Sequence, residues 1–411
     1  MSDNRTITSS KPSSEYTPRA CLAILGSCTG VFCSVGFVNS FAVFEEHYAK
    51  NQLADKSKST IAWLGAISIF FIFSVSVISG PLLDTFGPRV SSLILFIGSV
   101  GTVFAVMMTS LCKEFYQFIL AQGQYIKVKR GLAMGIVISG SSIGGVIWPI
   151  AINELLKKPN VGFGWTMRIV AFIMIPLLII SCLCCRPPAP SSVAPALQSK
   201  SDDGEAAGQK EQDTSKTDYS ILKKPSLQLS CLAFFIIYFG MFSPFFFTTS
   251  YAIDMGFNSS LAFYTTSIIN GASFFGRILP GIIADKYGRY NCCIMATFLS
   301  GIIALCWTKA TSVAGLVIFS AAYGFASGAI LSLQQACAVQ ISTPRTIGLT
   351  IGIVMASTSL SAMAGVPISG ELAGKYGYLP LSIYSGISLL VGALLLTAAR
   401  LAQSWKLLAV V

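Results

Sequence analysis

Long apolar runs separated by short polar gaps fill this chain, at roughly residues 21–44, 60–83, 90–111, 131–153, 165–185, 226–251, 260–284, 291–308, 311–335, 347–370 and 379–399. A helix rises about 1.5 Å per residue, so runs near 20 residues cross a hydrocarbon core about 30 Å thick. The pattern predicts an all-α polytopic membrane protein with eleven detectable spans. That is an odd number for a chain built by duplication.

The duplication is written in the gaps. Residues 80–89 read GPLLDTFGPR and residues 281–289 read GIIADKYGR, which sets Asp84 and Asp285 201 positions apart. Glycines permit the tight turn, and a carboxylate with an arginine can clasp neighbouring helix ends. Two such loops in register predict two pseudo-symmetric helical bundles, the architecture of a transporter. Between them, residues 186–224 are rich in Pro, Ser, Ala and balanced charge, too polar to bury a core and so expected to be disordered. The expected division is a tail over 1–19, a first bundle over 20–185, the linker, a second six-span bundle over 225–400 and a tail over 401–411.

Used as a ruler, the repeat exposes a shortfall. Gly123 and Gly324 keep the offset of 201, but Gly131 and Gly135 match Gly348 and Gly352 at 217, so the first half is 16 residues short between Gly123 and Gly131. Twelve spans are expected, and the fourth is truncated near 113–130. Its remnant, residues 115–126, is too short to cross. Three explanations stand open: a gene model that omits coding sequence, a short or re-entrant helix that still returns the chain, and a true eleven-span protein. The full-length transcript separates them.

Composition fits this picture. The 411 residues are 53% hydrophobic and 11% charged, with mean hydropathy +0.69. The net charge of +11 is explained by position. With the N-terminus inside and twelve crossings assumed, 18 of the 28 Lys and Arg fall on the inner side, eight outside, and Arg168 and Arg277 within spans. That bias predicts cytoplasmic termini in a multi-pass cell-membrane protein and argues against nucleic acid as a partner. The 12 cysteines fall almost wholly inside apolar runs, as small hydrophobes do, with Cys182, Cys184 and Cys185 placed where palmitoylation is the alternative. Residues 1–19 hold no apolar core of a cleavable signal, so the first span is expected to act as one. The sequon at Asn258 lies in a loop expected outside and is a glycosylation candidate; Asn4 heads another, expected to stay bare inside.

Candidate chemistry lies within the spans. Arg277 stands eight residues before Asp285, well inside the membrane, where an unpaired charge is costly. Thr266, Asn270, Ser273 and Arg277 follow i, i+4, i+7, i+11 spacing and share one helix face, expected to line water with Arg277 on an anionic substrate; a structural ion pair or carbonyl clamp is the bland alternative. Asn39 reads equally as a substrate contact or a helix-to-helix hydrogen bond. Tyr238 opens an aromatic stretch around Pro244 that suits a bulky ring-bearing substrate or simply faces lipid, and Gln334 and Gln335 are candidates for the same cavity. Asp84, Arg89, Asp285 and Arg289, with Lys129 and Arg130 on the same face, read as gate residues whose pairs form in one state and break in the other, against a passive turn. Gly131, Gly135, Gly140, Gly144, Gly348 and Gly352 read as close-packing positions, and His47 as a solvated residue of an outer loop beside Glu45 and Glu46.

These phrases resemble the major facilitator superfamily and, within it, the fungal form of the monocarboxylate porter family. The two loops carry the first likeness. YIKVKRGLAMGIVISGSSIGGVIWP (125–149), VNSFAVFEEHY (38–48) and ASFFGRILPGIIADKYGR (272–289) carry the second. The resemblance implies a secondary active transporter that rocks two bundles about a midplane site. Animal lactate carriers have a lysine where this chain has Asn39 and an acid where it has Ser273, so the expectation tilts to a larger organic anion or secondary metabolite, with efflux tied to a biosynthetic pathway. Proton-coupled monocarboxylate uptake is the alternative, and a non-transporting sensor or an inactive truncated product is the reading of another class. The expected partners are a small organic substrate, a co-transported proton and membrane lipid, with no cofactor, no metal, no required protein partner and no enzymatic activity.

Overall fold

A computed structural model describes residues 18–86, 88–112, 115, 117, 134–185, 219–343 and 346–405. They are helical throughout, in the order α1 (Pro18–Val31), α2 (Phe41–Lys50), α3 (Lys58–Ser74), α4 (Ser76–Phe86), α5 (Pro88–Thr109), α6 (Met134–Leu156), α7 (Gly162–Cys184), α8 (Pro225–Met241), α9 (Ser243–Asp254), α10 (Ser259–Tyr287), α11 (Arg289–Leu305), α12 (Val313–Ile341), α13 (Ile347–Lys375) and α14 (Tyr378–Leu401). Among the described residues, nine helices are long and apolar enough to cross a membrane, three of them composite: α1 with α2, α3 with α4, and α8 with α9. The 23-residue α6 and the shorter, 17-residue α11 pack among them, and the fold is that of a helical membrane bundle.

Helix ends are set by the residues the sequence supplies. The Ser57 and Ser312 side chains accept from the Thr60 and Gly315 amides at 3.1 and 3.0 Å, capping α3 and α12, and Pro225 starts α8. The second repeated loop turns on Gly288, whose φ of +93° only glycine adopts readily. Buried hydroxyls along the spans bond carbonyls of the preceding turn, as Ser68 does to Leu64 and Thr297 to Cys293, so few polar groups face lipid unsatisfied. The outward faces are apolar: Phe96, Val100 and Phe104 on α5 and Leu394 on α14 stand exposed.

Two seams join the helices of the first half to those of the second. In one, α6 runs against α10; in the other, α3 and α4 run against α13. The second is made of small residues. Ser59 donates to the Pro367 carbonyl at 3.1 Å near one membrane face, a Cβ on Gly352 would lie 2.5 Å from the Ser76 carbonyl, and a Cβ on Gly80 would strike the backbone of Gly348 near the other face. Gly140 and Gly144 serve the same purpose inside the first half, since Cβ atoms there would stand 2.5 Å from the Cys28 carbonyl and 2.6 Å from that of Phe32. Gly131 lies outside the described residues.

Two expectations need correction. The first span continues through Lys50, so His47 is not in a loop but on α2, half-buried and stacked on Phe163 at 5.4 Å. Glu45 beside it is buried. The chain is helical again from Tyr219, ahead of the expected linker boundary, and buries Ile221 in a 3-10 turn. All 12 cysteines are free.

Candidate functional site

The site begins where the first span breaks. After α1 the backbone widens into a π turn at Phe32–Gly36 and then loses helical form at Asn39 and Ser40. π turns recur where a helix is bent to aim a side chain. Here α6 holds the deformation: Trp148 donates its indole N–H to the Phe32 carbonyl at 3.1 Å, and Gly36 and Gly144 let the backbones touch. The break turns Asn39 across the interface between halves. Its amide donates to Asn270 Oδ1 at 3.0 Å and, more weakly, to the Ser141 carbonyl at 3.4 Å.

Helix α10 supplies the other side. Thr266, Asn270, Ser273 and Arg277 are all buried. They do different things. Thr266 pairs its hydroxyl with Thr249 at 3.0 Å; Asn270 donates back to the Thr266 carbonyl at 2.9 Å while accepting from Asn39; Ser273 packs on Gly328 and its hydroxyl is unpartnered. None of these three lines the cavity, which only Arg277 of this face reaches.

Arg277 is 1% exposed, and one terminal nitrogen donates to the Ile138 carbonyl at 2.7 Å and to the Ser141 hydroxyl. Among the described residues no ion pair involves it, and its Nε has no partner. A guanidinium held at one edge with another donor left over is a cation presented to the space beside it.

That space is a cavity of about 1190 Å³, counted to its mouth, between the two halves. Val38, Asn39, Ser141 and Ile72 close it from one side; Tyr238, Phe242, Phe245, Gln334 and Gln335 from the other. Tyr238 donates to Gln334 Oε1 at 2.6 Å, which turns the Gln334 amide nitrogen inward without a partner, and Gln335 Oε1 is likewise unpaired. The aromatic side is ordered, with Phe73 edge-on to Tyr238 at 5.7 Å and Phe242 stacked on Phe246 at 5.8 Å. A buried polar group without a partner is costly, and three converge here among aromatic walls.

The remaining candidates lie elsewhere. Asp285 and Arg289 face each other at 4.0 Å within the second repeated loop, at the membrane edge, with Asp285 exposed. Of Asp84 and Arg89 only the backbone is described, and Lys129 and Arg130 lie outside the described residues. Asn258 is exposed at the opposite face and caps α10, accepting from the Ser260 amide at 2.9 Å. Sequence reasoning missed Ser141, Phe73 and Glu45. Ser141 sits in the Gly-Ser stretch of α6 beside glycines, the one available hint; nothing in sequence singled out Phe73.

The model of the Major Facilitator Superfamily matches residues 119–308 and 272–408. The chain is similar to the agnestins efflux protein of Paecilomyces divaricatus, 44% identical over 98% of this chain and 92% of that one. It is similar also to an MFS-type transporter of Aspergillus fumigatus, at 40% over 93% and 92%, and to the aspyridones efflux protein of Emericella nidulans, at 36% over 95% and 80%. The match to the first spans 421 positions, of which 98% of this chain's 411 residues fill about 403, so about 18 have no counterpart here. Among solved structures, the human organic anion transporter MFSD10 (TETRAN) superposes with a TM-score of 0.62 over 93% of this chain and 100% of that one; at 16% identity the likeness is one of fold.

Proposed function

Since the chain belongs to the major facilitator superfamily and is a multi-pass membrane transporter of small substrates, we propose that it exports a ring-bearing organic anion, a secondary metabolite, with proton coupling. One observation carries this reading. The Arg277 Nε, the Gln334 amide N–H and the Gln335 carbonyl are buried without partners on three residues that line an aromatic-walled cavity between the halves. A cation and an amide donor suit a carboxylate or enolate oxygen, the extra acceptor suits a hydroxyl, and Tyr238, Phe242 and Phe245 suit flat rings. Export is supported by the names of the agnestins and aspyridones relatives.

In this reading Arg277, Gln334 and Tyr238 bind the substrate, and Asn39 with Asn270 forms a latch across the seam. Thr266 and Ser273 stiffen α10 behind it. The bundles 20–185 and 225–400 rock about the site in the cell membrane, with cytoplasmic termini. Asp84, Arg89, Lys129, Arg130, Asp285 and Arg289 then mark the inner rim as gate residues, and Asn258 faces outward as a glycan acceptor. The resemblance of its loops and spans to the monocarboxylate porters supports assigning it to that branch, with a cargo larger than lactate because Asn39 stands where animal lactate carriers have a lysine.

Disrupting the gene in its native host tests the export reading. One family of acidic, aromatic metabolites is expected to move from medium to cells, restored by the wild-type gene and not by Arg277→Gln at equal surface amounts. Unchanged partition of every metabolite between cells and medium overturns it.

A further inference from the structure

The buried charge unused so far is Glu45. Val38, just before the break that precedes α2, lines the cavity, and Phe41 at the start of α2 packs edge-on against the cavity-lining Phe246 at 5.5 Å. Glu45 follows Phe41 by four residues and so lies one turn further along the same face. It is 3% exposed, and neither carboxylate oxygen has a hydrogen-bond partner.

Beyond it stands a clasp between the halves. Lys58, at the start of α3, holds Asp254 Oδ2 of α9 at 3.0 Å, and Tyr378 of α14 donates to the same oxygen at 2.6 Å. Glu45 interacts electrostatically with both Lys58 and Tyr378. The other charges on α2 and its packing partners are engaged: Glu46 by Lys50 at 2.7 Å, and Glu154 of α6 by Lys157 at 2.7 Å. His47 is hydrogen-bonded to Asn51 and Gln52 and stacked on Phe163. Lys58 is therefore bonded to one carboxylate and feels the field of a second.

We infer that Glu45 is a proton-binding site whose protonation closes the Lys58 end of the transporter and whose ionisation opens it. The inference rests on the reading of this chain as a proton-coupled exporter and assigns the proton to a residue. An ionised carboxylate buried without a partner is strongly disfavoured, so the closed arrangement holds the neutral acid. When the Glu45 O–H breaks, its proton passes to water and the carboxylate becomes a second acceptor for the Lys58 ammonium. Lys58 shifts toward it, the bond to Asp254 breaks, and α3 separates from α9 and α14. Reprotonation reverses each step.

Hydrogen–deuterium exchange on the full chain in lipid nanodiscs tests this, with Glu45→Gln standing for the permanently neutral acid. At about pH 8, peptides covering 48–62 and 250–260 should exchange at least about threefold more slowly in Glu45→Gln than in wild type, and at about pH 5 the two should agree. Glu45→Asp, which keeps a titratable group, should behave as wild type. Infrared spectra should show a protonated-carboxyl band that wild type loses between those pH values and Glu45→Gln lacks throughout. Identical exchange of wild type and Glu45→Gln at the higher pH, or a carboxyl band that survives the substitution, overturns the assignment. Neither result touches export itself, which is decided by the partition of metabolites in cells. Export that proceeds at the same rate with and without a proton gradient, alongside normal exchange behaviour, removes the proton-coupled part of the reading instead.

Discussion

The two seams between the halves are built from opposite materials. Along α6 and α10 the contact is polar: Asn39 reaches Asn270, Arg277 reaches Ile138 and Ser141, and the Ser267 hydroxyl reaches the Val146 carbonyl at 3.4 Å. Along α3, α4 and α13 the contact is chiefly backbone on backbone, through Ser59, Gly370, Gly352, Gly80 and Gly348. Directional hydrogen bonds hold one arrangement, whereas a smooth, small-residue surface has few bonds to break when helices slide. The polar seam therefore belongs to recognition and the small-residue seam to movement.

The sharpest way to break that division is to fill the smooth seam. Gly80→Leu puts a branched side chain where even a Cβ meets the Gly348 backbone, so the repeated-loop end should no longer close. Export should fall by about fiftyfold or more at normal surface amounts, measured as metabolite in the medium, while equilibrium binding in detergent stays within about threefold. Binding lost along with export would put recognition in this seam as well.

Arg277→Gln attacks the other seam. It keeps much of the side chain's bulk but removes the cation, leaving the Ile138 carbonyl and Ser141 hydroxyl without their charged donor. A fall of about tenfold to thirtyfold in binding and export together is expected, the loss of one charge-assisted contact. Equal loss of neutral and acidic substrates would mean that Arg277 supports the helices instead of touching the anion.

How much of this could be read from sequence differs between the seams in the same way. The 3.6-residue spacing placed Thr266, Asn270, Ser273 and Arg277 on one buried face, because a helix fixes which of its own residues are neighbours. It could not say that Arg277 alone would reach the cavity, since that depends on where α6 and α12 stand. Asn39 was open between substrate and helix contact, and the π turn that aims it at Asn270 depends on Trp148, 109 residues later. Glu45 was passed over because two adjacent acids near a span end look solvated; only the continuation of the first span to Lys50 buries it. The all-α membrane fold was legible because length and hydropathy mark apolar helices locally, nine of them long enough to cross among the described residues. The shortfall read from the repeat near residues 113–130 lies almost wholly outside the described residues.

The Asn39–Asn270 bond should matter less than the guanidinium, because it is a neutral pair at 3.0 Å across a seam held elsewhere. Asn270→Ala also frees the space beside Gly145, whose missing Cβ would stand against the Asn270 side chain. Each single alanine variant should reduce export about threefold to fivefold, and the double variant little further, since both remove one bond. Losses that multiply in the double variant would show that the two side chains act separately.

The smallest effect is expected at the position that the repeat pairs with Gly80. Gly281 stands 201 residues on and opens the second loop phrase, yet among the described residues a Cβ there meets nothing within 4 Å. The same residue type thus has different surroundings in the two halves: Gly80 lies against the Gly348 backbone, and Gly281 has no described neighbour that a methyl group would touch. Gly281→Ala should leave export within about twofold of wild type, with slightly higher thermal stability, because alanine favours the helix. The duplication says which residue would oppose it. Gly348, the neighbour of Gly80, matches Gly131 at the offset of 217, and Gly131 follows the shortfall in the first half. If Gly281→Ala instead cuts export by about tenfold, while Gly131→Ala does the same and the double variant adds nothing, the α6–α10 seam closes at this end on a glycine pair of its own, and the two seams differ only along their middle.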